Sequence, residues 1–152
     1  MAQEGPLADL SPLASTGYLL ARLGMESRRI WGQMLTEHGL TPHQFGVLSA
    51  LDKLGAQSQQ QLGRAIGVDP RNAVPIIDAL EQRGLLERRP DPADRRKHAI
   101  TLTRAGHIKI EQLGQSGSEI EESFLASLTD QERDRLHATL SKLFAALTSP
   151  AK

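Results

Sequence analysis

The sequence predicts a mainly α-helical chain with one small β-hairpin, an α+β class. Three observations carry that expectation. Apolar residues recur at helical spacing through most of the chain, capping patterns mark the helix starts, and short strand-like runs occur only between Leu85 and Leu102. A chain of 152 residues is long enough for a real core and short for two independent ones, so 1–152 reads as a single domain.

From Leu13 to His38 the apolar residues Leu13, Leu20, Leu23, Ile30 and Met34 follow a helical period that ends at Gly39. Its internal glycines, Gly17, Gly24 and Gly32, each cost about 1 kcal/mol relative to Ala, so packing has to hold this helix. Thr41-Pro42 supplies a cap and a proline at the first helical position, and Phe45, Leu48, Leu51 and Leu54 continue a second helix. Ser58 and Gln61 form a capping box that opens a short third helix ending at Gly67. Asp69-Pro70 repeats the cap-plus-proline start of a fourth, whose Ala73, Ile76, Ile77 and Leu80 face the core before Gly84 stops it. Leu85 to Arg89 and His98 to Leu102 then read as two strands around a charged tip. Thr103 caps a fifth helix with Ile110, Leu113, Ile120 and Phe124 inward. Thr129 to Glu132 caps a sixth, with Leu136, Leu140, Leu143 and Leu147 in one seam. The residues up to Pro12 and the stretch Ser149 to Lys152 read as frayed ends.

Composition narrows the class further. A hydrophobic share of 39% and a charged share of 24% belong to a folded, soluble chain. No apolar run reaches membrane-spanning length, and MAQEGPLADLSPLAS has acidic residues where a signal peptide is basic, so a cytoplasmic location without membrane contact is expected. The absence of cysteine excludes disulfides, thiolate metal sites and thiol-based sensing. The 18 basic and 18 acidic residues cancel, so bulk charge says nothing for nucleic acid. Distribution does: Arg88, Arg89, Arg95, Arg96 and Lys97 stand against Asp91 and Asp94 in one short stretch.

Helix, tight turn, helix and then a basic-tipped hairpin is the order of a winged helix-turn-helix. Gly67 lies in the turn, where a residue free to take positive φ lets the two helices cross steeply. The second helix of the pair can then enter a major groove while the first braces it. Opposite its core face stand Arg71, Asn72, Val74, Pro75 and Asp78. Arg71 can donate two hydrogen bonds to a guanine edge, Asn72 can pair with adenine and Val74 offers methyls to thymine. As isolated residues, Arg71 and Asn72 would be ordinary solvated positions; the surrounding motif assigns them to the interface. Pro75 removes a backbone donor inside the helix and is expected to bend it modestly. At the tip, Asp94 can steady a guanidinium two residues on, while Arg95, Arg96 and Lys97 are placed to meet a minor groove. The expected DNA contacts are therefore Gln59, Gln60, Pro70, Arg71, Asn72, Val74, Pro75, Asp94, Arg95, Arg96 and Lys97.

The stretch QLGRAIGVDPRNAVPIIDALEQRGLLERRPDPADRRKHAITLTRAG, Gln61 to Gly106, closely resembles the MarR family of regulators. LTPHQFGVLSAL and LTDQERDRLHATLSKLFAAL match the family order on either side, so the resemblance spans nearly the whole chain. It implies a homodimer held by helices at 13–38 and 104–148, with a DNA-binding region at 41–103. Within that region 58–67 is the support helix, 69–83 the recognition helix and 85–102 the wing. It also implies a palindromic double-stranded operator, repression of a nearby gene in a bacterial cell, and release by a small aromatic or phenolic effector. Asp94 and Arg96 match the family's wing motif, whereas Pro75 departs from the polar or basic residue often found at its position. Trp31, His38 and His43 lie on helices bordering the implied effector cleft. No cofactor is implied.

Two other readings compete with this one. An enzyme is disfavoured because His38, His43, His98, His107 and His137 make no metal-binding pair and neither a nucleophile elbow nor a glycine-rich phosphate loop occurs. A winged-helix module that docks on protein is the alternative, but it has no need of Arg95, Arg96 and Lys97.

Overall fold

The computed structural model of the protein describes residues 15–148. Leu13, where the first helix was expected to begin, and the segments expected to fray lie outside the described residues. The described chain forms α1 (Thr16–Glu37), α2 (Pro42–Leu54), α3 (Gln59–Ala65), α4 (Pro70–Gln82), β1 (Leu86–Pro90), β2 (His98–Leu102), α5 (Arg104–Phe124) and α6 (Asp130–Thr148). Two compact units divide it, Met1–Gly117 and Ser118–Lys152, with the boundary inside α5. Among the described residues no helix is long and apolar enough to cross a membrane.

Local capping chemistry sets the helix starts. The Thr41 hydroxyl accepts the Gln44 N–H at 3.2 Å while the Gln44 side chain accepts the Thr41 N–H at 3.0 Å. Ser58 and Gln61 repeat the exchange at 3.2 and 2.8 Å. At α5 the Thr103 hydroxyl accepts the Gly106 N–H at 3.1 Å and itself donates to the Gly84 carbonyl at 2.5 Å, tying the helix to the end of α4.

The core of the first unit fills the space between α2, α3, α4 and the hairpin. Val47, Leu48, Leu62, Ala73, Ile77 and Leu80 are fully buried there, with Leu86 and Ile100 from the two strands. On α4 the expected core face holds for Ala73, Ile77 and Leu80, but Ile76 is only half-buried because it sits at the edge of the stripe. In α5 only Leu113 of the expected inward positions is buried; Ile110 is partly covered. The first strand starts one residue later than expected. Leu85 instead closes the end of α4, donating its N–H to the Leu80 carbonyl at 3.0 Å after the left-handed Gly84 at φ 68°.

The strands pair antiparallel in the register Leu86↔Leu102, Arg88↔Ile100 and Pro90↔His98. A third backbone joins them. Gln57 donates its N–H to the Ile100 carbonyl at 3.0 Å and accepts the Ile100 N–H at 2.8 Å, so the loop before α3 extends the hairpin on its β2 side. A lone two-stranded hairpin is marginal in water, and this tie anchors it at the middle of β2.

In the second unit, Arg133 seals the turn between the helices by donating to the Leu125 and Leu128 carbonyls and pairing with Glu122 at 2.8 Å. Ile120 and Phe124, expected inward, are partly covered there. The Glu132 carboxylate accepts both the backbone N–H and the hydroxyl of Thr129 at 2.9 Å. Those two donors hold its pKa below the ordinary glutamate value. No residue of α6 is buried. Leu136, Leu140, Leu143 and Leu147 do form the expected seam, but in the single chain it faces outward. Phe144 beside it is 70% exposed.

Candidate nucleic-acid interface

The turn between α3 and α4 is built for close approach. Gly67 adopts φ 70°, which an L side chain rarely takes. A Cβ added at Gly63 would lie 3.1 Å from Pro70 Cα and 3.2 Å from the Val68 carbonyl oxygen. Hydrogen at that position is what lets the start of α4 rest on α3. The Asp69 carboxylate then accepts the Arg71 N–H at 2.8 Å, capping α4 where its first donors lack partners.

Beyond the cap, Arg71, Asn72 and Pro75 are exposed and Val74 is half-buried. The side chains of Arg71 and Asn72 make no hydrogen bond or ion pair among the described residues. α4 continues through Pro75, which cannot donate to the Arg71 carbonyl one turn earlier. Gln60 is exposed. Gln59 is turned inward, donating its side-chain amide to the Pro70 carbonyl at 3.5 Å, so it braces the start of α4.

The hairpin tip is a loop closed on its own backbone. The Asp91 N–H donates to the Lys97 carbonyl at 2.8 Å and the Lys97 N–H to the Asp94 carbonyl at 2.9 Å. The Asp91 carboxylate accepts the Ala93 N–H at 2.8 Å and the Asp94 carboxylate the Arg96 N–H at 3.0 Å. Here the structure differs from expectation. Asp94 holds the Arg96 backbone rather than its guanidinium, because an aspartate side chain reaches the amide two residues on with little strain. Arg95, Arg96 and Lys97 are exposed and carry no ion pair among the described residues.

The other two basic residues of the hairpin are compensated. Arg88 bridges Asp78 and Glu81, and Arg89 lies 2.5 Å from Glu87. Asp78, expected on the reading face, thus serves as an internal partner. Between helix pair and hairpin lies a cleft of about 780 Å³ with Ser58, Gln59, Gln60, Arg64 and Pro70 on one side and Asp91, Lys97 and His98 on the other. A positive rim on an open, polar cleft is the setting in which phosphate oxygens replace water.

Of the expected effector residues, two meet α5. His38 Nε2 lies 3.0 Å from Ser116 Oγ, and the Trp31 ring covers Gly117, where a Cβ would stand 2.8 Å from the indole. His43 is exposed on α2 and does not join them.

A family model described as the MarR family matches residues 40–98. The putative transcriptional regulatory protein for the hcr operon of Thauera aromatica is 30% identical over 147 residues, covering 90% of this chain and 87% of that one. The HTH-type transcriptional repressor NicR of Pseudomonas putida is 32% identical over 127 residues, covering 84% and 80%. Among solved structures, the transcriptional repressor CouR bound to a 23-mer DNA duplex superposes with a TM-score of 0.70 at 30% identity, covering 90% of this chain and 96% of that one.

Proposed function

Because this chain belongs to the MarR family of winged-helix transcriptional regulators, we propose that it is a repressor that binds an inverted-repeat operator as a homodimer and lets go when a small aromatic or phenolic effector binds. The observation that carries this reading is the pairing of two kinds of unsatisfied side chain. Among the described residues the side chains of Arg71 and Asn72 have no partner at the start of a capped helix, and those of Arg95, Arg96 and Lys97 have none on the adjacent loop. Fork-shaped and amide donors at a helix start suit base edges, and unpaired cations on a projecting loop suit a narrow groove. Gln60 and Pro70 flank that face, and Asp94 shapes the loop that presents the cations.

The two-fold assembly is supported by apolar surface left exposed among the described residues of one chain. Leu143, Phe144 and Leu147 on α6 are 44%, 70% and 78% exposed, and Leu19, Leu23 and Met25 on α1 are at least half exposed. Trp31 and His38 are the residues favoured for the effector: both are drawn against α5, where a phenol would have to compete with Ser116 for the His38 ring nitrogen and pack beside the indole that covers Gly117.

A gel-shift series over salt tests the reading. Binding should weaken linearly in log–log form as salt rises, and Arg96→Ala should reduce that slope by about one. Arg71→Ala should cost about 1–3 kcal/mol and relax preference at one base position. Salt-independent binding, or a chain indifferent to duplexes at low ionic strength, would favour a protein-docking module instead.

A further inference from the structure

Arg88 sits in the middle of β1, yet its side chain turns back to α4. Its Nη2 lies 2.5 Å from Asp78 Oδ1, and its Nη1 donates to the Glu81 carboxylate. The other oxygen of Glu81 accepts the Arg88 backbone N–H at 3.2 Å. Asp78 and Glu81 are three residues apart and therefore neighbours on the surface of α4. A guanidinium fork can hold two carboxylates at once in this way, whereas an ammonium is a single point charge. The Arg88 side chain is only 25% exposed, which reduces screening of the pairs. Partial burial alone would lower its pKa; the two carboxylates outweigh burial and raise it above the ordinary guanidinium value, so the charge is permanent.

The position of Arg88 in the sheet gives this cluster its significance. Arg88 is the register partner of Ile100, and Ile100 is the residue bonded on its other side to Gln57. One lateral row therefore crosses the hairpin from Gln57 through Ile100 and Arg88 to Glu81 on α4. The row fixes the hairpin at its midpoint, between the loop before α3 and the exposed side of α4. The tip with Arg95, Arg96 and Lys97 projects beyond it.

We propose that Arg88 is a positioning residue for DNA recognition: through Asp78 and Glu81 it sets the wing against α4, so that base reading by Arg71 and groove contact by the wing tip fall in register. It acts without touching DNA, and the inference rests on the DNA-binding function proposed above. Its consequence is that operator discrimination, more than bulk affinity, depends on this fork.

The test uses a duplex of about 30 base pairs selected by the wild-type protein from a randomised pool, against an unrelated duplex of equal length. Arg88→Met removes one positive charge, whereas Asp78→Asn with Glu81→Gln removes two negative ones, so binding to the unrelated duplex should move in opposite directions. The ratio of selected to unrelated affinity should nevertheless fall by about tenfold in both, because both release the wing. Arg88→Lys keeps the charge without the fork and should lose most of the ratio as well. In the free protein, amides of 98–102 should exchange with solvent about tenfold faster in the variants while those of α2 keep their protection.

A ratio that stays within about twofold of wild type in correctly folded variants, or full recovery by lysine, would overturn the proposal. If the wild-type protein selects no duplex, it is the DNA-binding function that fails. The exchange measurement then still decides whether Arg88 holds the hairpin, and unchanged exchange would overturn the proposal by itself.

Discussion

Replacing Gly106 by alanine should destabilise the protein, although alanine is the better helix former. A Cβ on Gly106 would stand 2.0 Å from the Leu85 carbonyl oxygen and 3.1 Å from Leu102 Cδ2. Carbon and carbonyl oxygen settle at about 3.3 Å, so the start of α5 and the Leu85 backbone would have to part by about 1.3 Å. That oxygen also accepts the Thr103 N–H at 3.2 Å, a bond that the displacement strains. Overpacking costs about 1–3 kcal/mol and a weakened hydrogen bond up to about 1, against a propensity gain of about 1 for Ala over Gly. The net loss is about 2 kcal/mol, or about 5 °C in the thermal midpoint for a chain of this size. Among the described residues nothing beyond the neighbouring backbone of its own helix lies within 4 Å of a Cβ added at Gly114, so Gly114→Ala should instead raise the midpoint by about 2–3 °C. Thermal unfolding followed by far-ultraviolet circular dichroism at fixed protein concentration reads both. A Gly106→Ala midpoint at or above wild type would refute the close-contact reasoning.

Leu140→Glu with Leu143→Glu should halve the sedimenting mass of the proposed dimer while leaving helix content nearly unchanged, since no residue of α6 is buried in the single chain; an unchanged mass would count against a two-fold contact through α6. The lowered pKa of Glu132 means that its capping contribution is present above the unfolded-state pKa and lost as pH falls through the folded one. Glu132→Gln should therefore lower the thermal midpoint at neutral pH, and the gap to wild type should narrow on acidification to about pH 3. A gap that stays constant would remove Glu132 from the capping role.

Much of the fold was legible because its signals are local. Thr41-Pro42, Ser58 with Gln61, Asp69-Pro70 and Thr129 with Glu132 each announce a helix within four residues, and α2, α3, α4 and α6 begin directly after those caps. The hairpin was legible from the change of period after Gly84. Contacts made between distant backbones were not. Gln57 pairs with Ile100 through main-chain atoms alone, which leave no mark on side-chain pattern. The glycine of LTRAG is visible as a motif, but the reason for it, a carbonyl on Leu85, belongs to the fold.

Charge was half legible. The count of basic residues in the hairpin reads directly from the sequence, yet which cations are free depends on partners ten and seven residues away on α4. Hence Asp78 reads as a groove-facing residue until its pairing with Arg88 is seen. The α6 seam was correctly grouped by period, but period cannot say whether a stripe is covered by its own chain. Of the effector candidates, Trp31 and His38 share a helix face seven residues apart, which favoured their meeting α5 together. His43 belongs to another helix and points elsewhere.

The most direct test of the central claim is a hydroxyl-radical footprint of the wild-type protein on DNA that it selects. Two protected patches related by a dyad and separated by about 10 base pairs, each flanked by minor-groove protection, are expected from α4 and the wing acting in pairs. A single asymmetric patch, or uniform cleavage at low salt, would contradict the claim that this surface reads an operator.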